Sequence, residues 1–246
     1  MTRLIEHLVE PHRLLLYWQA RESTSRSRYL VGELIKRDGK VVLLYDLNSS
    51  EMVEAKRMGF RGYPAFPLKK TEYSNQVLEA FTRRLPPRSR RDFGRYLELR
   101  AIPANATISD FALLGYSGAK LPNDGFEVVH PFDNPPEAFE VLIEIAGFRH
   151  ESQLEITDLQ VGGSIQFLPE PENPVDTGAI CIASAGHKLG YVPRGHLDML
   201  HRMLAEGAIL EGEVFRTNGT SERPLVYVLT RILKGDLPIQ ALKMQA

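Results

Sequence analysis

The sequence predicts an α+β fold in two small domains. Apolar runs bounded by turn residues read as an antiparallel sheet in the first half. Tyr73, Val77, Phe81 and Leu85 recur every four residues, so Ser74–Leu85 reads as an amphipathic helix set among those strands. His130–Pro136 then carries three prolines in seven residues, which makes a stiff, extended joint. The expected division is an α+β domain over 1–130, a Pro-rich linker over 131–138, a second domain over 139–235 and a tail over 236–246.

In chain order, Arg13–Trp18 is the first expected strand. Tyr29–Ile35 and Val41–Tyr45 flank Asp38-Gly39, a hairpin signal because both turn positions tolerate positive φ. A helix is expected near Glu51–Met58, broken by Gly59. Pro86-Pro87 ends the Ser74–Leu85 helix. Ser89 suits the cap of a helix carrying Phe93, Tyr96 and Leu97, and Ser109 the cap of a short one ending at Leu114-Gly115.

With 43% hydrophobic and 25% charged residues, the chain has the composition of a globular protein. No apolar run reaches the length of a membrane helix, and Met1–His7 has no apolar signal core. One cysteine, Cys181, allows no internal disulfide, so a reducing cytoplasm is the expected location. Charge is unevenly spread. Residues 1–134 hold 21 Lys/Arg against 16 Asp/Glu, and residues 135–235 hold 8 against 14. The second half is therefore acidic, and phosphate neutralisation alone would give it little affinity for nucleic acid.

The most distinctive stretch is Leu168–Arg194, LPEPENPVDTGAICIASAGHKLGYVPR. Pro169, Pro171 and Pro174 keep the loop out of helices and central strands. Asn173 and Asp176 favour turns through side-chain bonds to nearby backbone. Ala179–Ala183 reads as a buried strand, Gly186 as a turn and Leu189–Val192 as the returning strand.

This stretch resembles the HIRAN domain. Upstream, Ile145–His150 is similar to the family's first strand and its following polar pair; downstream, His196–Leu204 is similar to its helix. The resemblance covers Phe139–Lys234. It implies a small antiparallel β-barrel with one main helix and a nucleic-acid ligand, single-stranded DNA with a free 3′ end in the family's best-understood member. It further implies that Arg149 binds a phosphate and that His150, where the family favours Tyr, stacks on a base or donates a hydrogen bond. Asp176 would accept a bond from a terminal 3′-hydroxyl and repel an internal phosphate; it also suits an Asx turn. Arg194 would hold a phosphate. Tyr191 is either a stacking platform or a half-buried strand residue. Val175 stands where the DNA-end-binding member has an aromatic, so about 1–3 kcal/mol of stacking is missing there.

A second candidate surface is the basic run Arg83, Arg84, Arg88, Arg90 and Arg91, continued by Arg95 and Arg100. It fits a nucleic acid, an acidic partner or a solvated helix face.

Val31–Leu34, Tyr45, Phe81, Leu85-Pro86, Asp110–Leu114 and Gly118-Ala119 resemble the N-terminal subdomain of HipA-type toxin kinases, over roughly Leu14–Val129. No Gly-rich phosphate loop or kinase-type Asp/Asn pair accompanies it. His196 and His201 lie five apart, not the helical four of a metal pair, and Gly115-x-Ser117-Gly118 is not a nucleophile elbow. The expectation is a binding module without catalysis, metal or cofactor. It would recognise single-stranded DNA 3′ ends in DNA processing, repair or defence. The alternative is a non-catalytic, antitoxin-like subunit that docks onto a HipA-type kinase.

Overall fold

Residues 3–20, 27–122 and 124–235 are described by the computed structural model, and they divide into two compact units. One comprises 10–96 and 105–133; the other comprises the N-terminal nine residues, 97–104 and the rest of the chain from 134. The boundary expected at 130/131 thus lies at 133/134, and two outlying segments count with the second unit. Hydrogen bonds explain both. The main-chain N–H of Ile5 donates to the carbonyl of Ala101 (2.6 Å), and those of Glu6 and His7 donate to the Glu140 carboxylate (3.0 Å each). Phe132, inside the expected linker, is buried in the first unit, stacked on His130 with 3.8 Å between ring centroids.

The first unit opens with β1 (Arg13–Gln19), β2 (Arg28–Arg37) and β3 (Lys40–Leu44). Asp38 and Gly39 take φ of 49° and 75° and close the β2–β3 hairpin as expected. Helix α1 (Ser50–Arg57) starts where Ser49 accepts a hydrogen bond from the Met52 N–H and stops at Gly59, whose φ is 96°. Strands β4 (Gly62–Tyr63) and β5 (Phe66–Pro67) pair with each other, and β6 (Glu72–Tyr73) joins β3. Helix α2 (Val77–Thr82) is shorter than the Ser74–Leu85 helix expected. Tyr73 is bonded into the sheet, and Gln76 at φ 52° cannot continue a right-handed helix.

Helix α3 (Phe93–Glu98) begins four residues beyond Ser89, so Ser89 does not cap it. Ser109 does cap α4 (Asp110–Ser117), accepting from the Ala112 N–H at 2.9 Å. That helix runs past Leu114-Gly115 and ends at Gly118, which takes the left-handed conformation. β7 (Phe126–Val129) completes an antiparallel sheet of order β6-β3-β2-β1-β7. Leu14, Leu34, Leu43, Phe60, Phe81 and Phe111 form its core.

The second unit contains β8 (Ala138–Glu144), α5 (Phe148–Glu151), β9 (Ser164–Pro169), β10 (Ile180–Ser184), β11 (His187–Tyr191), α6 (Arg194–Ala205), β12 (Ile209–Thr220) and β13 (Arg223–Leu233). They form one antiparallel sheet of order β11-β10-β9-β12-β13-β8. It curls until its outer strands meet. Ala146, just past β8, and Tyr191, at the end of β11, exchange both backbone hydrogen bonds, at 2.8 and 2.9 Å. Closure is partial, because β9 pairs with β12 only through Ile165–Gly212 and Ser164–Glu213. The fold is α+β, as expected, with one main helix, α6, in this unit.

Ile145–His150 is not a strand. The strand ends at Glu144, and Gly147 at φ 78° starts the short helix α5. The β12–β13 hairpin, whose strands are longer than any others among the described residues, escaped the sequence reading. No helix among the described residues is long and apolar enough to cross a membrane. The expected tail, 236–246, lies outside the described residues.

Candidate nucleic-acid interface

The loop between β9 and β10 is built by its own side chains. Asn173 accepts hydrogen bonds at Oδ1 from the N–H groups of Val175 (3.0 Å) and Asp176 (3.1 Å). Asp176 accepts from the Gly178 N–H at 2.9 Å, the Asx turn foreseen for it. The Ala179 N–H donates to the Asp176 carbonyl and the Glu170 N–H to the Ala179 carbonyl, both at 2.9 Å, and these bonds close the loop's base. His201 of α6 reaches the Gly178 carbonyl at 2.7 Å, so the histidine not read as a metal ligand is a loop fastener. With the prolines these bonds leave the loop little freedom. They hold Val175 93% exposed at its tip.

Tyr191 ties this loop to β11. Its hydroxyl accepts from Asn173 Nδ2 (2.9 Å) and donates to Glu170 (3.0 Å). Lys188 also donates to that hydroxyl, and its ammonium sits 4.1 Å from the centroid of the tyrosine ring. Lys188 pairs with Glu151 of α5 at 2.9 Å and stands 3.9 Å from Glu170. The chain Glu151–Lys188–Tyr191–Glu170–Asn173 therefore joins α5, β11 and the loop into one frame.

The charges in that frame hold one another. The Asn173 amide, with Tyr191 and Lys188, keeps the Glu170 carboxyl below its ordinary range against the effect of its burial. Burial opposes the Lys188 charge, yet Tyr191 and Glu151 raise its pKa above the usual lysine range. Cys181 is buried beneath; its thiol is pushed up to about 11 by burial and by the Glu170 charge. At neutral pH it is a thiol that fills the core.

Arg149 and His150 lie on the exposed side of α5, beside Glu151, while Phe148 is buried. Neither Arg149 nor His150 makes a side-chain hydrogen bond or ion pair with the described residues. Arg194 is the first residue of α6, directly after Pro193, and is exposed. Asp176 is half-buried, with one oxygen on the Gly178 N–H. Tyr191 differs from a free stacking platform. Its hydroxyl is fully engaged and one ring face carries Lys188.

Glu151, Glu170 and Lys188 were not singled out from the sequence. Strand alternation places residues 188 and 191 on opposite faces. A bulge brings them together: Ile182 pairs with Gly190 and Ala183 with Lys188, so Leu189 is extra, and Gly190 bends at φ 145°. An added Cβ at Gly190 would stand 2.4 Å from the Ala146 carbonyl, so this bend and the sheet closure both need glycine.

In the first unit the basic run is mostly committed. Arg84 is 7% exposed and does not belong to a nucleic-acid surface. Its guanidinium bonds Asp124 (3.0 Å to Oδ1) and the Ala119 carbonyl (2.7 Å), and faces the rings of Tyr63 and Phe126. Desolvation works against its charge, and Asp124 more than restores it. Arg88 pairs with Asp110 (2.6 Å) and bonds the Ile108 carbonyl; Arg90 pairs with Asp92 through two bonds of 2.8 and 2.6 Å. Arg83 and Arg91 are exposed.

Among the described residues one group has the spacing of a metal set, Glu6, His7 and Glu140. It does not fit a cation. Glu140 already accepts both backbone N–H groups, lies 3.2 Å from His7 Nδ1, and has Arg231 at 3.8 Å.

A curled antiparallel sheet with one main helix and a proline-rigidified loop, beside exposed Arg and His side chains and the half-buried Asp176, defines a small β-rich binding module. The sequence profile of the HIRAN domain matches residues 139–227, and this part of the chain is a HIRAN domain. The HIRAN domain of human HLTF superposes with a TM-score of 0.33 at 15% identity, over 39% of this chain and 77% of that one. A protein from Lactobacillus plantarum superposes with a TM-score of 0.34 at 22% identity, over 40% and 99%. Neither superposition bears on function. No curated protein matches the chain. The family match does not extend into Leu14–Val129, and the HipA resemblance there gains no support from it.

Proposed function

We propose that this protein is a nucleic-acid-binding protein without catalysis of its own, and that its HIRAN domain receives the 3′ end of a single strand. The observation that carries the reading is the frame Glu151–Lys188–Tyr191–Glu170–Asn173 inside the matched region. It supports Arg149 and His150 on one side and the Val175–Asp176 tip on the other. Arg149 and Arg194 contact phosphates. The outer oxygen of Asp176 accepts the terminal hydroxyl and disfavours a phosphate in its place. Val175 lays an aliphatic contact against the last base where an aromatic would stack.

Fluorescence anisotropy with matched oligonucleotides ending in a 3′-hydroxyl or a 3′-phosphate tests this. Preference for the hydroxyl supports it. Equal affinity for both ends removes the end reading, and no binding at low salt removes the nucleic-acid reading altogether.

A further inference from the structure

The first unit holds a cavity of about 330 Å³ that the HIRAN reading does not use. Its apolar wall is Phe66, which is buried, and Tyr73, which is half-buried with its hydroxyl on the Pro67 carbonyl. Its mouth carries Asn75, Gln76, Glu79 and Arg83, all exposed.

The polar groups at this mouth are unspent. The side chains of Asn75, Gln76, Glu79 and Arg83 make no hydrogen bond or ion pair with the described residues, although Glu79 and Arg83 lie four apart, a spacing that favours a pair on a helix. Arg83 thus contrasts with Arg84, Arg88 and Arg90, each held by a carboxylate. Gln76 also adopts φ 52° without being glycine. Such a conformation costs of order 1 kcal/mol and recurs at sites that grip ligands.

We infer that this cavity binds a ribonucleoside monophosphate unit, with the base against Tyr73 and the phosphate on Arg83. Each polar group at the mouth has a partner in that ligand. Side-chain amides present a donor and an acceptor in one plane and match the edge of a base, as Asn and Gln do with adenine. A carboxylate accepts from ribose hydroxyls. A guanidinium takes a phosphate through two parallel bonds. An aromatic ring stacks on any base. The volume lies at the small end of ligand pockets and admits one nucleotide.

The test uses the full chain and three probes: AMP, its 2′-deoxy form and adenosine, followed by saturation-transfer NMR and calorimetry. AMP should bind most tightly. Adenosine should bind about tenfold more weakly for want of the phosphate, and the deoxy form should lose affinity through Glu79. Arg83→Gln should abolish the advantage of AMP over adenosine. Gln76→Gly relieves the backbone strain and so keeps the fold, and it should still weaken all three probes. Absence of AMP binding overturns the inference, as does AMP binding that both variants leave unchanged. Because the cavity lies in the other unit, oligonucleotide binding by the HIRAN domain can fail or succeed independently of this result.

Discussion

Asp176 and Val175 occupy the same loop tip but are set up for different tasks. Asp176 spends one oxygen on the Gly178 N–H, and its other oxygen makes no hydrogen bond with the described residues. Asp176→Asn keeps the turn and removes the charge, so it should shrink the preference for a 3′-hydroxyl over a 3′-phosphate while leaving general affinity nearly unchanged. Anisotropy with the two oligonucleotides measures this. Val175, held out at 93% exposure, pays no folding role for its side chain. Val175→Tyr should therefore leave stability unchanged and strengthen single-strand binding by about 1–3 kcal/mol through stacking. A variant that binds no better would show that the last base does not reach the tip. Cys181, buried and with its thiol pushed up to about 11, should resist iodoacetamide at pH 8 in the folded protein and react only after denaturation, which mass spectrometry reads directly.

Between the residue and the domain stands the loop frame. Tyr191→Phe deletes one hydroxyl, yet that oxygen serves Asn173, Glu170 and Lys188 together. The expected cost is about 1 kcal/mol of stability, with faster amide exchange in the loop from Glu170 to Gly178. The frame also responds to pH. Folding holds the Glu170 carboxyl below its ordinary value, so its contribution is present above the unfolded carboxylate pKa and is lost as pH falls through the lower folded value. Loop order, followed by amide exchange, should hold at neutral pH and decline only in acid. Glu170→Gln should flatten that decline. Asn173 and Tyr191 stand out in the sequence as turn and strand residues, but the Lys188 that completes the frame reaches Tyr191 only through the bulge at Leu189. Alternation rules that place every second residue on one face miss such a contact by construction.

For the molecule as a whole, charge sets the terms of binding. The HIRAN part lies in the acidic half, with 8 Lys/Arg against 14 Asp/Glu over residues 135–235. Arg149 and Arg194 are the phosphate contacts proposed there. Two contacts on a single strand predict a plot of log affinity against log salt with a slope of about −1.4. A much steeper slope would bring in further cations, and the run from Arg83 to Arg91 is one candidate source among the described residues. Arg88 and Arg90 are already paired with Asp110 and Asp92. Joint neutralisation of Arg88, Arg90 and Arg91 should accordingly change the slope by less than one unit, the share of Arg91 alone. A salt titration of that variant beside the parent decides the point.

The sequence by itself determined the α+β class, the Asp38-Gly39 hairpin, the helix near Glu51–Met58 with its break at Gly59, the Ser109 cap, and the HIRAN stretch with its proline-held loop. These are local signals, since a turn, a cap or a proline acts within a few residues of itself. Only the tertiary structure decided that Tyr73 belongs to a sheet, because its pairing partner Leu43 lies thirty residues away and overrides the helical stripe. It decided equally that Arg84 is buried, because Asp124 and the Ala119 carbonyl come from distant chain. Charge in a sequence looks alike whether solvated, paired or waiting for a ligand. Burial and the position of the opposite charge separate those cases, and both are properties of the folded chain.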